Sequence, residues 1–101
     1  MKKSDKKIEN AIRISLTEVC ESLKGEVSGF EWLCHRVDFS NVNQSLKVTF
    51  MFATNQSLRE AKLRLQTDEM ANLACHALAK HNIQITNAAK QFVFDTEERH
   101  S

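Results

Sequence analysis

Cysteine stands directly before histidine twice in this chain, at Cys34-His35 and Cys75-His76, and thiolate with imidazole is the ligand pair that zinc favours. The spacing defeats that chemistry. Neighbours on a strand point to opposite faces and neighbours on a helix diverge by about 100°, so neither dipeptide can close on one ion. Cys20 is far from both and no CxxC occurs, which argues against a ligand cluster and against a disulfide framework. The chain also lacks a nucleophile elbow, a phosphate loop, HExxH and a dinucleotide fingerprint. These residues nominate no catalytic group, no metal site and no cofactor.

The chemistry that is left is recognition. Lys6, Lys7 and Arg13, with Lys2 and Lys3, are opposed only by Asp5 and Glu9 in the first thirteen residues, and Arg59, Lys62 and Arg64 form a second basic cluster. Either group could contact phosphates, or simply keep a helix face solvated. Trp32 and Arg36, four residues apart, are the side chains best suited to stacking on bases.

Composition limits what such groups can do. A formal charge of +1 with 27% charged and 42% apolar residues describes neither a disordered chain nor a broad attractor of polyanions. A chain of 101 residues fits one domain, 1–101, with residues 1–4 and 96–101 expected to fray. MKKSDKK is basic but lacks the apolar run of a signal peptide, and no stretch reaches the roughly 18 apolar residues of a membrane helix. With three unpaired cysteines, the expectation is a soluble protein of the cytoplasm that does not engage membranes.

The elements that must position these groups follow from periodicity. Residues 4–24 read as a helix capped by Ser4, with Ile8, Ile12, Leu16, Val19 and Leu23 on one stripe, Ile14 opposite, and Gly25 as the stop. Residues 29–39 and 45–53 read as strands joined through Ser40–Gln44. In the first, Leu33, His35, Val37 and Phe39 share one face, and Phe30, Trp32, Cys34, Arg36 and Asp38 the other. In the second, Leu46, Val48, Phe50 and Phe52 alternate with Lys47, Thr49 and Met51. Ser57-Leu58-Arg59-Glu60 has the form of a capping box, and Leu58, Ala61 and Leu65 continue an apolar face. The stripe of Met70, Leu73, Ala74, Ala77 and Leu78 lies about 150° around from that face, so a break is placed near Gln66–Asp68, capped by Thr67 or Asp68, and the second helix ends at Asn82. Residues 90–95 close the chain as a strand.

The order α-β-β-α-α-β makes an α+β fold with a three-stranded sheet and helices packed on one face. The position of the last strand is open at this stage. Burying Leu33, Val37 and Phe39 leaves Trp32 and Arg36 outward together with Lys47, Met51 and Val93, a face more apolar than solvation requires. The tail, or the loop after Asn82, could fold over it. His35 falls on the covered face as a hydrogen-bonded core histidine.

That order, with LKVTFMFA as second strand and QFVFDTEE closing the chain, resembles the type II KH-like arrangement of bacterial ribosome-binding factor A and, more loosely, BolA-like proteins. The segment Leu65-Gln66-Thr67-Asp68 between the later helices has neither GxxG nor AxG, so no RNA-clamping residues come with the resemblance. DKKIENAIRISLTEVCE, GFEWLCHRVDF, FATNQSL and FDTEE resemble a small family of bacterial proteins labelled Fis-like transcriptional regulators. A Fis-type reader ends in a helix-turn-helix, and this chain ends in a strand pattern and an acidic tail, so no DNA-reading residues come with that label.

A non-catalytic binding module is the expectation, in one of two forms. One is a nucleic-acid- or ribosome-associated accessory or regulatory protein that holds RNA or DNA phosphates with Lys6, Lys7, Arg13, Arg59, Lys62 and Arg64. The other is a protein-interaction or homodimer module whose contact is Trp32, Arg36, Lys47, Met51 and Val93.

Overall fold

The computed structural model describes residues 3–100, with side chains from Asp5 to Arg99. The elements are α1 (Lys3–Lys24), β1 (Phe30–Arg36), a single-turn α2 (Val42–Ser45), β2 (Lys47–Phe52), α3 (Asn55–Leu63), α4 (Gln66–Ala79), a single-turn α5 (Ala88–Gln91), β3 (Phe92–Thr96) and a closing 3-10 turn (Glu97–His100). The cap proposed at Ser4 lies outside the described side chains.

The strands form one sheet in the order β1-β2-β3. β1 pairs antiparallel with β2, and β3, returned by the helices, lies parallel to β2 on its other side. Helices cover one face. The inward residues Val48, Phe50 and Phe52 are fully buried, Phe92 nearly so, and Phe50 stacks on Phe94 with ring centres 4.9 Å apart. From α1, the stripe Ile12, Leu16, Val19 and Leu23 is buried as its spacing requires, and Met70, Ala74, Ala77 and Leu78 of α4 complete the core. Ser15 is buried within this apolar layer because its hydroxyl donates to the Ala11 carbonyl at 2.8 Å and to the Ala77 carbonyl at 3.3 Å, tying α1 to α4.

Several local expectations are corrected. Phe30 does not share the outward face with Trp32: Phe30 faces Phe52 while Trp32 faces Met51, so Glu31 is the extra residue of a β-bulge and Phe30 turns into the core. The capping box lies one turn earlier than proposed, with Thr54 as N-cap and Ser57 in the third helical position rather than at the N-cap. The break between α3 and α4 falls at Arg64-Leu65, ahead of Gln66–Asp68, and neither Thr67 nor Asp68 is the cap. Leu65, assigned to a buried stripe, is 63% exposed and holds the left-handed backbone that makes the turn. At the far end of α4 Asn82 has positive φ. The Ile83 amide donates to the Leu78 carbonyl and the Asn82 amide to Ala79, a Schellman close with Ile83 buried.

From Thr96 to Arg99 the chain is tied to its neighbours. The Asn55 amide donates to Glu98 at 2.9 Å, the buried Thr96 hydroxyl donates to Asn55 Oδ1 at 2.6 Å, and Arg99 pairs with Asp95 at 3.5 Å. Among the described residues no helix is long and apolar enough to cross a membrane.

Candidate functional site

The side of the sheet away from the helices carries three cross-strand rows. Arg36 faces Lys47 at one end; Cys34, Thr49 and Val93 lie across the middle; Trp32, Met51 and Asp95 lie across the other end. Alternation along each strand puts all of them on one side, opposite Leu33, Val48, Phe50 and Phe92. Trp32, at 41% exposure, is the largest side chain of this face.

Its indole is held in place. Trp32 Nε1 donates to Glu97 Oε1 at 2.8 Å. Trp32 is on the edge strand β1 and Glu97 follows β3, so this bond reaches across the whole of β2, about 10 Å at two strand spacings. The residue beneath it is Met51, which is only 7% exposed although it points away from the core. Met51 is therefore withdrawn from the proposed contact set. Among the described residues the tail folds over this corner of the face.

Charge on the face is segregated. Arg36 and Lys47 face each other at one end, a like-charged cross-strand pair of the kind that weakens a sheet unless an anion or a carboxylate meets it. At the other end are Asp95, which pairs with Arg99 at 3.5 Å, and Glu97, which accepts from Trp32. Beyond Arg36, the Asp38 carboxylate is held below its ordinary range because the Ser40 hydroxyl and then the Ser40 amide donate to it.

The chain matches no protein-family model, no curated protein and no solved structure. Its site is therefore defined by geometry.

That geometry separates the basic residues proposed for phosphates. α1 and α4 run antiparallel: Leu23 and Val27 lie by Gln66 and Met70, and Lys7 and Ile8 by Lys80 and Ile83. Lys7 thus joins Lys80 and His81 at one end of the helical layer, with exposed Lys6 one residue before it. The turn carrying Lys62 and Arg64 opens the other end. The length of α4, 14 residues or about 21 Å, separates them. Arg13 stands between, beside a groove of about 330 Å³ where α1 meets the outer edge of β1. Arg59 is exposed on α3, on the helical side of the sheet and away from Trp32. Lys6 and Lys7, Lys62 and Arg64, and Arg59 thus lie on the helical layer, and Arg13 alone of the phosphate candidates lines a groove with residues of β1, Leu33 and His35.

The cysteines and histidines stay apart. Cys34 is exposed on the open face, whereas His35 turns inward and is half-buried in the groove by Leu16 and Cys20, at the margin of the core rather than within it. His76 is exposed, and Cys75 is half-buried, its thiol pushed up by desolvation. Sequence reasoning missed Leu63 and Leu65, exposed at 78% and 63% beside the α3–α4 turn. Their signal was the 150° change of phase, which marks where the stripe ends.

Proposed function

We propose that this chain is a small non-catalytic binding module of the cytoplasm, that its working surface is the open face of the sheet, and that its partner is a protein surface. The observation that carries this reading is the face itself: Trp32 fixed over Met51, Thr49 and Val93 beside it, and charges of opposite sign at its two ends. A flat, partly apolar face with a polar rim has the make-up of a docking surface rather than of a catalytic cleft. A fixed tryptophan is the kind of anchor that dominates such contacts, because little rotamer freedom is left to lose on binding. Three unpaired cysteines suit a reducing compartment.

Nucleic acid is the second reading, favoured by the Arg36–Lys47 pair near an exposed indole. Two things weigh against it: the acidic end of the same face, and the placement of Lys6, Lys7, Arg59, Lys62 and Arg64 elsewhere. Photo-crosslinking in the native cell separates the two, with p-benzoylphenylalanine placed at Thr49 on the open face or at Arg59 on α3. A protein adduct at position 49 that survives nuclease supports the reading. Nuclease-sensitive adducts at 59 with none at 49 overturn it in favour of nucleic acid.

A further inference from the structure

We infer that the open face is built to meet a second copy of itself, in a two-fold pair with the strands of the two sheets running antiparallel across the contact. This inference rests on the reading of the open face as a protein-docking surface and names the partner.

Its basis is the way charge is arranged along the strands. Arg36 and Lys47 mark one end of the face, and the Glu97 carboxylate, next to the Asp95–Arg99 pair, the other, with Cys34, Thr49 and Val93 between. A two-fold axis lying in the plane of the contact and running across the strands at the Thr49 row turns the two faces toward each other and brings the basic end of each copy over the acidic end of the other. An isologous contact uses the same patch twice, so this one arrangement sets opposite charge together at both ends at once. A parallel overlay would set Arg36 and Lys47 on their own images and is excluded by like-charge repulsion. The same overlay brings the two Trp32 side chains to opposite ends of the contact, where each flanks an Arg36 of the other copy within reach of a cation–π contact.

The size of the face sets the strength. Three strands about 4.8 Å apart and some 20 Å long give a footprint of roughly 300 Å², small against the about 800 Å² per partner of a standard stable interface. The pair is therefore weak, forms at high concentration and low salt, and depends on its charges more than on area.

Complementation between two variants, read by sedimentation velocity at low salt, tests this arrangement. Arg36→Glu with Lys47→Glu makes both ends of the face acidic; Glu97→Lys moves the other end toward basic. Each variant alone sets like charges together and should associate about tenfold more weakly than the wild type, roughly the loss of one exposed but converging charge cluster. Mixed in equal amounts, they restore one native contact and create one reversed contact, so a heterodimer should form within about threefold of wild-type affinity. Circular dichroism confirms that both variants are folded. Association restored only on mixing is the expected result.

Variants that pair as well alone as together overturn the inference, as does wild-type protein that stays monomeric at 1 mM. The mass of the Thr49 adduct tells this failure from failure of the underlying reading. An adduct with some other protein keeps the open face as the docking surface and removes the second copy. No protein adduct at position 49 removes both.

Discussion

Replacing Gln91 by leucine should destabilise the fold far more than its place at the end of the single-turn α5 implies. Gln91 is buried, and its amide makes contacts in two directions. Nε2 donates to the Asn43 and Leu46 carbonyls, each at 2.8 Å, while Oε1 accepts from the Thr86 amide at 3.0 Å, the Asn87 amide at 2.7 Å and the Thr86 hydroxyl at 3.1 Å. It thereby clamps α2 to the loop that feeds β3 and holds β3 in place beside β2. Leucine fills the volume and removes every one of these bonds. The bond to the Leu46 carbonyl is buried, and losing its donor costs about 1–3 kcal/mol; the remaining sites are open enough for water to replace part of what is lost, at about 0.5 kcal/mol each. The four other bonds add about 2 kcal/mol, so the total is at least about 3 kcal/mol. At about 4–8 °C per kcal/mol for a domain of this size, the midpoint of thermal unfolding should fall by roughly 12–24 °C. Urea unfolding of Gln91→Leu against wild type measures it, with the m-value unchanged. A loss under about 1 kcal/mol would show that the clamp is incidental and refute the assignment of β3's position to this side chain.

Three further outcomes follow from local geometry. Leu65→Gly should stabilise the chain by about 0.5–1 kcal/mol in urea unfolding, because a left-handed leucine costs roughly 1–2 kcal/mol, glycine returns some of that as unfolded-state entropy, and this leucine is exposed. Gly29→Ala should cost at least about 2 kcal/mol by the same measurement, since Gly29 has φ +85° and a Cβ there would overlap the Ser57 side chain in the first turn of α3. The Asp38 carboxyl, followed by ¹³C NMR, should titrate below the ordinary aspartate range. Because its folded value is lowered, its contribution to stability is present above the unfolded value and disappears as pH falls through the folded one. Ser40→Ala should move the titration back up.

What could be read beforehand, and what could not, divides by range. The β2 alternation and the α1 stripe repeat every two and every three to four residues, so each was legible from neighbours alone, and with them the sheet and its helical cover. The bulge at Glu31 was invisible: one inserted residue leaves Phe30-Glu31-Trp32 alternating as before while Phe30 changes face. Leu65 has the spacing of a buried residue, but a tight turn ends α3 ahead of it, and no local signal marks a leucine that will take the left-handed conformation. Gln91 reads as an exposed polar residue because the carbonyls that satisfy it lie more than forty positions away. Within the candidate site, Trp32, Arg36, Lys47 and Val93 were placed on the outward face by alternation. Burial of Met51 depended on the strand order and on the bond from Trp32 to Glu97, sixty-five residues apart, which no local pattern encodes.

The central claim is that the face of the sheet away from the helices stands open beyond the Trp32 corner, and differential alkylation of the three cysteines tests it most directly. Dilute folded protein treated with iodoacetamide and resolved by peptide mass should be modified at Cys34 well before Cys20 or Cys75, since only Cys34 is exposed and it lies between Trp32 and Arg36 on that face. Cys34 modified no faster than the half-buried Cys75 would mean that something covers the sheet, and the account of this face as a docking surface would be contradicted.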